Sequence, residues 1–509
     1  MMDLVIGSGP AGVSVATALL ARGRRVLMLD GGAVPGAEAR ERRARLAATD
    51  PADWSAATHA DWQQPQFETP PGQVRRFGSD FAMEAGEKTF AASGEIGLRA
   101  SRAEGGLSNL WGAAVLPHRS ADMADWPLGA DDLAPHYRAV AKFMPISGTP
   151  DDLEALLPAF SMTGKTPLDP SPQGRELLRR FDRQKARLLQ IGVHAGVARL
   201  AVDPACKYCG QCLHGCPWGY IYSARQTLLD LRRHPDFSHR SAIVRQFEES
   251  GDGVTVTLDS GETLTTNRVF VASGALETAR LLLASRPDAG GVLRLKDSQH
   301  FFLPSLHRWR APRLPDRLPY HTLPQAFVEI ADPDISPHLV HTQIYTWNEF
   351  YARDLTASYG AKLPGSAPLW RALARRLIVS QAFLHSDHSA RIDLSLAPDG
   401  RLIPSVYANP ETSGVMAAAK TRLAKALGKA GLLVLSAASR PGAPGSSFHV
   451  GGSVPMSAQP GPSDSDVLGR PKGLERVHIV DASILPSIPA TTITFSVMAN
   501  AHRIGTLAP

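Results

Sequence analysis

Outside one short run this chain has no cysteine: Cys206, Cys209, Cys212 and Cys216 are the only thiols in 509 residues. That excludes a disulfide framework stapling distant parts of the fold together. Also missing is an apolar run of the ~20 residues that a membrane-crossing helix needs, so no transmembrane segment is expected. A strong charge of one sign is absent too; the formal net charge of +6, spread over this length, is too dilute to imply nucleic acid as a partner. The N-terminus does not read as a signal peptide, because Asp3 precedes the apolar stretch, no Lys or Arg comes before it, and Gly7, Gly9 and Gly12 interrupt it. Arg24-Arg25 is followed only by Val26 to Leu29 before Asp30, which is no twin-arginine signal. A cytoplasmic location is therefore expected, unless the chain is exported on a partner carrying its own signal. No internal repeat is found.

What is present is an ordinary globular composition, 43% apolar and 20% charged, in a chain too long for one compact core. Asp3 to Ile6 reads as a buried strand, Ala11 to Arg22 as a helix and Arg25 to Leu29 as a second parallel strand, which makes a βαβ unit. Further strands are expected near Ile243 to Phe247, Gly253 to Leu258 and Arg268 to Ala272, with a helix from Leu276 to Ala284. From about Phe301 the texture changes, with strand-like alternation in Ser389 to Leu396 and helix periodicity in Ser413 to Gly431. The expected organisation is α/β. A discontinuous nucleotide-binding domain takes residues 1–35, 95–130, 200–300 and 445–509. Residues 36–94 and 131–199 form excursions or a lid, and residues 301–444 form a second, α+β domain.

Gly7-Ser8-Gly9-Pro10-Ala11-Gly12 is a G-x-G-x-x-G turn with a strand before it, a helix after it and an acid, Asp30, closing the next strand. Glycines are needed there because the backbone turns sharply, comes close to a pyrophosphate and lets helix and strand pack. The helix N-terminus offers free N–H groups and partial positive charge to the phosphates, and Asp30 would accept the ribose hydroxyls. Val477 to Ser483 is another strand running into an acid-bearing turn at the far end of the chain. An extended FAD needs such a second element for its ribityl chain, and NAD enzymes rarely do.

These blocks resemble the glucose-methanol-choline (GMC) family of FAD-dependent alcohol oxidoreductases: Gly7 to Gly12, Gly105 to Gly112, Gly274 to Ser285, His449 to Met456 and Asp481 to Arg503, in the family's order. His449-Val450-Gly451-Gly452-Ser453-Val454-Pro455-Met456 is similar to that family's H-x-x-G-[TS]-x-x-M, whose histidine faces the flavin N5. The resemblance implies a Rossmann-like FAD-binding domain joined to a substrate domain built on an antiparallel sheet. It also implies noncovalent FAD, because Leu110 stands where flavinylated relatives have a histidine. The cofactor-binding residues expected are Gly7, Gly9, Pro10, Ala11, Gly12, Asp30, Gly105, Gly106, Ser108, Asn109, Trp111, Gly112, Val244, Gly274, Asp481, Ala482, Thr491, Thr492 and Ile493.

Alcohol oxidation removes a hydroxyl proton and a hydride from one carbon, and His449 suits the first task because imidazole titrates near neutral pH. The family's second polar group is a His or Asn where this chain has Thr492. A threonine hydroxyl can position a substrate oxygen but cannot act as a base; equally, Thr492 can be the N-cap of a helix running from Ile493 to Ile504. His502, late in that helix, fits a C-terminal dipole partner better than a catalyst.

The cysteine run, C-x2-C-x2-C-x3-C followed by Pro217, has the ligand spacing of ferredoxins. With no second set in the chain, one centre would use three or all four thiolates. A [4Fe–4S] or [3Fe–4S] cluster is favoured over zinc, which uses two widely separated C-x-x-C knuckles, and over disulfides, which are unusual in a reducing compartment. Tyr208, Trp218, Tyr220 and Tyr222 would shield it, or are plain packing. Such a centre would pass electrons singly to a cytochrome or quinone. A sugar or polyol is the expected substrate, met by His341, Gln343, Tyr345, Trp347, Gln381, His385 and His388, which are equally ordinary strand residues. The competing expectations are a lipidic alcohol, with Leu369 to Val379 as an amphipathic surface helix, and an electron-transfer flavoprotein without an alcohol substrate.

Overall fold

The structure, a computed structural model, describes residues 2–58, 79, 81–84, 89–90, 96–286, 290–308, 320–348 and 365–509. Parts of the excursion expected over 36–94 and of the second domain expected over 301–444 lie outside the described residues.

The first sheet is parallel, with strand order β19-β8-β1-β2-β4: Val477–Ile479, Arg268–Val271, Met2–Ile6, Arg25–Asp30 and Phe237–Ser241. Its central strands are continuous apolar runs because a parallel strand covered on both faces has no polar side, and Leu4, Val5, Met28, Leu29 and Val269 to Val271 are buried. The helix Pro10–Ala21 follows β1, starting at the proline whose missing N–H costs nothing in a first turn. It packs against the last helix, Thr494–Leu507, where Gly505 permits close approach: a Cβ there would lie 2.9 Å from the Val15 carbonyl oxygen.

The second sheet is antiparallel, ordered β16-β10-β13-β12-β11-β3, with β17 also on β10: Leu432–Val434, His300–His307, Leu377–Phe383, Val340–Tyr345, Ala326–Ile330 and Val193–Val197, and Arg440–Pro441 for β17. One face, including Leu303, Val328, Ile344 and Ala382, packs against the helices Pro172–Leu189 and Thr412–Lys429 through Leu177, Phe181, Leu423 and Leu427. Two-residue alternation therefore turns His300, Phe302, Glu329, His341, Gln343, Tyr345, Gln381 and Phe383 to the opposite face. Two smaller antiparallel sheets complete the fold: β15-β14-β9-β18 (Leu402–Tyr407, Arg391–Leu396, Leu293–Asp297, Val450–Gly451) and β5-β6-β7 (Val244–Ser250, Gly253–Leu258, Thr263–Thr266).

Three placements differ from expectation. The excursion expected over 131–199 supplies β3 and the helix Pro172–Leu189 to the second sheet, because Val193 and Leu188 are buried in that core. Leu369 to Val379 is not one amphipathic helix: a short helix ends at Ala374, and Leu377 to Val379 enter β13, where pairing with β10 outweighs helical periodicity. The last helix begins at Thr494, with Ile493 in the cap position and no side-chain cap bond, so Thr492 is not its N-cap.

Candidate active site

A cavity of about 890 Å³ runs from Asp30 and Arg43, along Gly7 to Ala11, to His449 and the open face of the second sheet. Its turn is built by glycines with different tasks. A Cβ on Gly12 would lie 1.9 Å from the Gly7 carbonyl oxygen and one on Gly7 2.4 Å from that of Ala272, whereas one on Gly9 would meet nothing within 4 Å, because Gly9 faces the cavity. Two of them thus serve backbone packing and the third leaves room for a ligand.

Asp30 is occupied within the protein. Its Oδ2 accepts the Ser8 amide at 3.1 Å and the Ser8 hydroxyl at 2.5 Å, and its Oδ1 accepts the Gly32 amide at 2.6 Å. The Ser8 hydroxyl in turn accepts the Gly105 amide at 3.0 Å, which docks the segment 103–112 onto the turn. Within that segment Ser108 donates to the Gly105 carbonyl at 2.5 Å, Asn109 donates to the carbonyls of Glu104 (3.0 Å) and Gly106 (2.8 Å), and Trp111 donates to that of Tyr222 (2.8 Å). These side chains shape the wall more than they offer spare bonds.

Gly106, Gly112, Gly274, Asp481, Ala482, Thr492 and Ile493 line the cavity with Leu110. Gly12, Gly105 and Thr491 stand behind it. Val244 does not reach it: it starts β5 in the three-stranded sheet, and its carbonyl accepts Arg280 at 2.9 Å. Asp481 acts by positioning, since its carboxylate accepts the amides of Gly274 and Ser483, each at 2.9 Å, and the Thr278 hydroxyl; burial raises its pKa. The hydroxyls of Thr491 and Thr492 are buried with no protein partner, and that of Thr492 borders the cavity. Unpaired buried hydroxyls are costly, so that of Thr492 is a group a bound cofactor or substrate would satisfy.

His449 lies at the far end. Ser447 pins its backbone: the Ser447 hydroxyl donates to Asp297 at 2.7 Å and accepts the His449 amide at 2.9 Å, while Asp297 also takes the Gly445 amide at 2.7 Å. Burial pushes the Asp297 carboxyl up to about 6. The His449 ring packs on Phe383 with centroids 4.8 Å apart, and its Nδ1 is buried without a partner. Burial, reinforced by the imidazoles of His341, His300 and His118, pushes its pKa down to about 3. The ring is therefore neutral at physiological pH but a weaker base than the near-neutral imidazole expected from the sequence. The preceding residue, Phe448, has φ 64°, a conformation costly for a bulky side chain and found where a site demands it.

The second sheet presents Phe302, Gln343, Tyr345, Gln381 and Phe383 to the cavity. Of the polar residues expected at a substrate, Gln343, Tyr345 and Gln381 are there. His341 sits on the same face but outside the cavity, its Nδ1 2.6 Å from Oε1 of its cross-strand neighbour Glu329, both side chains fully buried. Trp347 is also outside, and His385 and His388 lie in the turn beyond β13. His502 meets His136, Nδ1 to Nδ1, at 3.0 Å. Arg43, Arg225, His300, Phe302, Phe383 and Asp297 escaped sequence reasoning, since only strand register and chain crossings bring them here.

The cysteine loop borders the same cavity through Cys212 and Cys216. All four thiols are free. Burial pushes the Cys206 thiol up to about 12 and raises Cys209 and Cys212, so these sulfurs would be deprotonated only by a bound metal. Amides of Tyr208, Tyr220 and Thr322 point at Cys206 (3.4 Å), Cys216 (3.3 Å) and Cys212 (3.4 Å). No three of the sulfurs all lie within 4.8 Å of one another, whereas the thiolates around a single tetrahedral zinc ion are about 3.8 Å apart. Trp218 stacks between Trp54 and Tyr220, and Tyr222 is packed edge-on to Trp111.

Residues 409–501 match the family model described as GMC oxidoreductase, and residues 5–69 that of an NAD(P)-binding Rossmann-like domain. No curated protein matches the chain. Among solved structures it is similar to pyridoxine 4-oxidase from Mesorbium loti, with 15% identity and a TM-score of 0.59 over 99% of this chain and 98% of that one. The fold is thus a Rossmann-like dinucleotide-binding domain with a mostly antiparallel second domain, and the C-terminal segment is of the GMC oxidoreductase type.

Proposed function

We propose that this chain is an FAD-dependent oxidoreductase that oxidises an alcohol group, with His449 as the acceptor of the hydroxyl proton. The observation that carries the reading is the neutral imidazole, its Nδ1 buried without a partner, at the end of a cavity that starts at the glycine turn, where the nucleotide-binding domain meets the open sheet face. The glycine turn and the N-terminus of the helix Pro10–Ala21 would hold the pyrophosphate, and Asp30, through whatever acceptor capacity Ser8 and Gly32 leave, the adenosine ribose. Thr492 and the Gly274–Asp481 turn would meet the other half, noncovalently, with Leu110 on the wall. When bound, FAD supplies the hydride acceptor that no side chain can provide. His449 takes the hydroxyl proton at its cavity-facing nitrogen, Phe383 holds the ring, and Ser447 with Asp297 fixes its backbone.

The substrate favoured is a sugar or polyol, because Gln343 and Gln381 offer paired donors and acceptors beside stacking surfaces. A hydroxymethyl group on an aromatic ring is the second reading, favoured by Phe302, Tyr345 and Phe383 and by the similarity to an enzyme named for pyridoxine. The cysteines are proposed to hold an iron–sulfur cluster, which would supply one-electron transfer toward a cytochrome or quinone. The amide-to-sulfur contacts and the loop's place on the cavity wall support it.

The test is a spectrum of anaerobically purified protein, with iron and sulfide assays, before and after each of a panel of sugars, polyols and aromatic alcohols, repeated for His449→Ala. Flavin bleached by one alcohol in the parent and not in the variant supports the reading. Flavin that no alcohol bleaches points to an electron-transfer flavoprotein instead, and flavin bleached equally in the variant removes His449 as the base.

A further inference from the structure

We infer that His300 is a second catalytic residue of this site, holding the oxygen of the alcohol by a hydrogen bond while His449 takes its proton. On the alcohol-oxidising reading above, the resemblance puts the second polar group in the C-terminal segment, where this chain has only Thr492. His300 comes from the opposite wall, as the first residue of β10.

Of the histidines among the described residues, His449 and His300 border the cavity. Strand pairing brings them together. His300 is the cross-strand neighbour of Phe383, with ring centroids 5.5 Å apart, and the His449 ring packs on the same Phe383 at 4.8 Å. The backbone fixes this meeting from the other side: the Ser298 amide, two residues before His300, donates to the His449 carbonyl at 3.1 Å, beside the pairing of Val450 with Asp297. Two imidazoles from distant segments thus flank one phenyl ring at the same end of the cavity.

The His300 ring is held in place but not satisfied. Its backbone carbonyl accepts the Gly442 amide at 2.8 Å, and Gly442 lies against the ring: a Cβ there would come within 2.4 Å of Cε1 and 2.5 Å of Nε2. Phe302 meets the ring edge-on at 5.1 Å. The residue is 3% exposed, yet no hydrogen bond from a described residue reaches its ring, and Nδ1 is buried without a partner. A phenyl ring would fill this space without leaving a polar atom unpaired, so the imidazole is accounted for by a partner that enters through the cavity. Burial pushes its pKa down to about 4, which makes it an uncharged ring with one N–H to donate at neutral pH.

Oxidation breaks the O–H bond, its proton going to His449, and the C–H bond, its electron pair leaving as hydride to the acceptor that FAD supplies. A C=O bond forms and the alcohol loses two electrons. Negative charge gathers on the oxygen as its proton departs, so an N–H directed there stabilises the transition state more than the bound alcohol, and the neighbouring Phe302 and Phe383 rings keep water from screening it. His300 keeps its own proton throughout.

The experiment uses the full-length, flavin-loaded protein and the alcohol that bleaches it, comparing the parent with His300→Phe, which keeps the packing against Phe302 and Phe383, and His300→Gln, which keeps a donor. In His300→Phe the limiting rate of anaerobic flavin reduction falls by about 100-fold at unchanged flavin content, and His300→Gln recovers about tenfold of that loss. Binding is read without turnover, by calorimetry on protein whose flavin has been reduced beforehand: the alcohol's dissociation constant rises by about fivefold to tenfold in His300→Phe and by less in His300→Gln. A parent-like rate in His300→Phe overturns the assignment. Equal slowing in both variants does so too, because it marks packing alone. If His300→Phe does not hold flavin, His300→Gln decides: a rate within about tenfold of the parent supports the assignment and a loss of about 100-fold overturns it. A parent that no alcohol bleaches ends the alcohol-oxidising reading and His300's role with it, whereas a bleached parent with unaffected variants removes His300 alone.

Discussion

Ser8 donates its hydroxyl to Asp30 at 2.5 Å, so the acid that closes the second strand is held by the turn preceding the helix. The variable position of the glycine fingerprint is thereby part of the site's frame. In Ser8→Ala, Asp30 loses a charge-assisted bond and Gly105 its acceptor, each about 1–3 kcal/mol. FAD affinity should fall at least tenfold, measured by fluorescence of released flavin, with the fold retained by circular dichroism.

The glycines separate packing from ligand approach. Gly12→Ala, with its Cβ driven against the Gly7 carbonyl, should lower the yield of folded protein. Gly9→Ala has open space and should fold normally but bind FAD more weakly, because the added methyl enters the cavity. Thermal midpoint against flavin content distinguishes the two; equal melting temperatures would contradict the assignment.

Thr492→Val removes a buried hydroxyl without a protein partner. The cofactor-free protein should be unchanged or slightly more stable, by up to about 1 kcal/mol in urea unfolding. Binding of FAD or of the alcohol should weaken by about 1–3 kcal/mol, visible in the dissociation constant or KM.

Acid should destabilise the fold. Burial pushes His118 and His449 down to about 3 and His300, His321 and His478 to about 4, so the native chain leaves them neutral where the unfolded chain, titrating near 6.5, protonates them. Their stability contribution is full above about 6.5 and is lost as pH falls toward about 4. Asp297, raised to about 6, has the opposite sign, its contribution present below about 4 and lost as pH rises through 6; Asp151, Asp481 and His338 are raised as well, but the histidines lowered to about 3 or 4, His136 and His307 among them, outnumber these groups. The urea midpoint should therefore be lower at pH 5 than at pH 7.

The βαβ unit was legible because burial on both faces leaves continuous apolar runs around the glycine turn, and His449 because its neighbours form a recognisable block. The opposite wall was not. Gln343, Tyr345 and Gln381 reach the cavity while His341, on the same sheet face, turns to Glu329, and only strand register decides between them. Val244 was expected among the nucleotide contacts, yet its strand belongs to a separate sheet. Thr492 fitted a helix cap by residue type, and the helix starts two residues later.

Helix Pro10–Ala21 is covered by the 14-residue helix Thr494–Leu507, and Arg22 donates to the carbonyls of Gly505 (2.9 Å) and Ala508 (2.6 Å). Strand β1 likewise waits for β8 on one side. The apolar surface of the helix Pro10–Ala21 is thus uncovered until the segments of both sheets and the helix Thr494–Leu507 have been made. Completion of this domain waits on synthesis of the second sheet, and a ribosome stalled within that sheet would hold out an unsealed, aggregation-prone half-sheet.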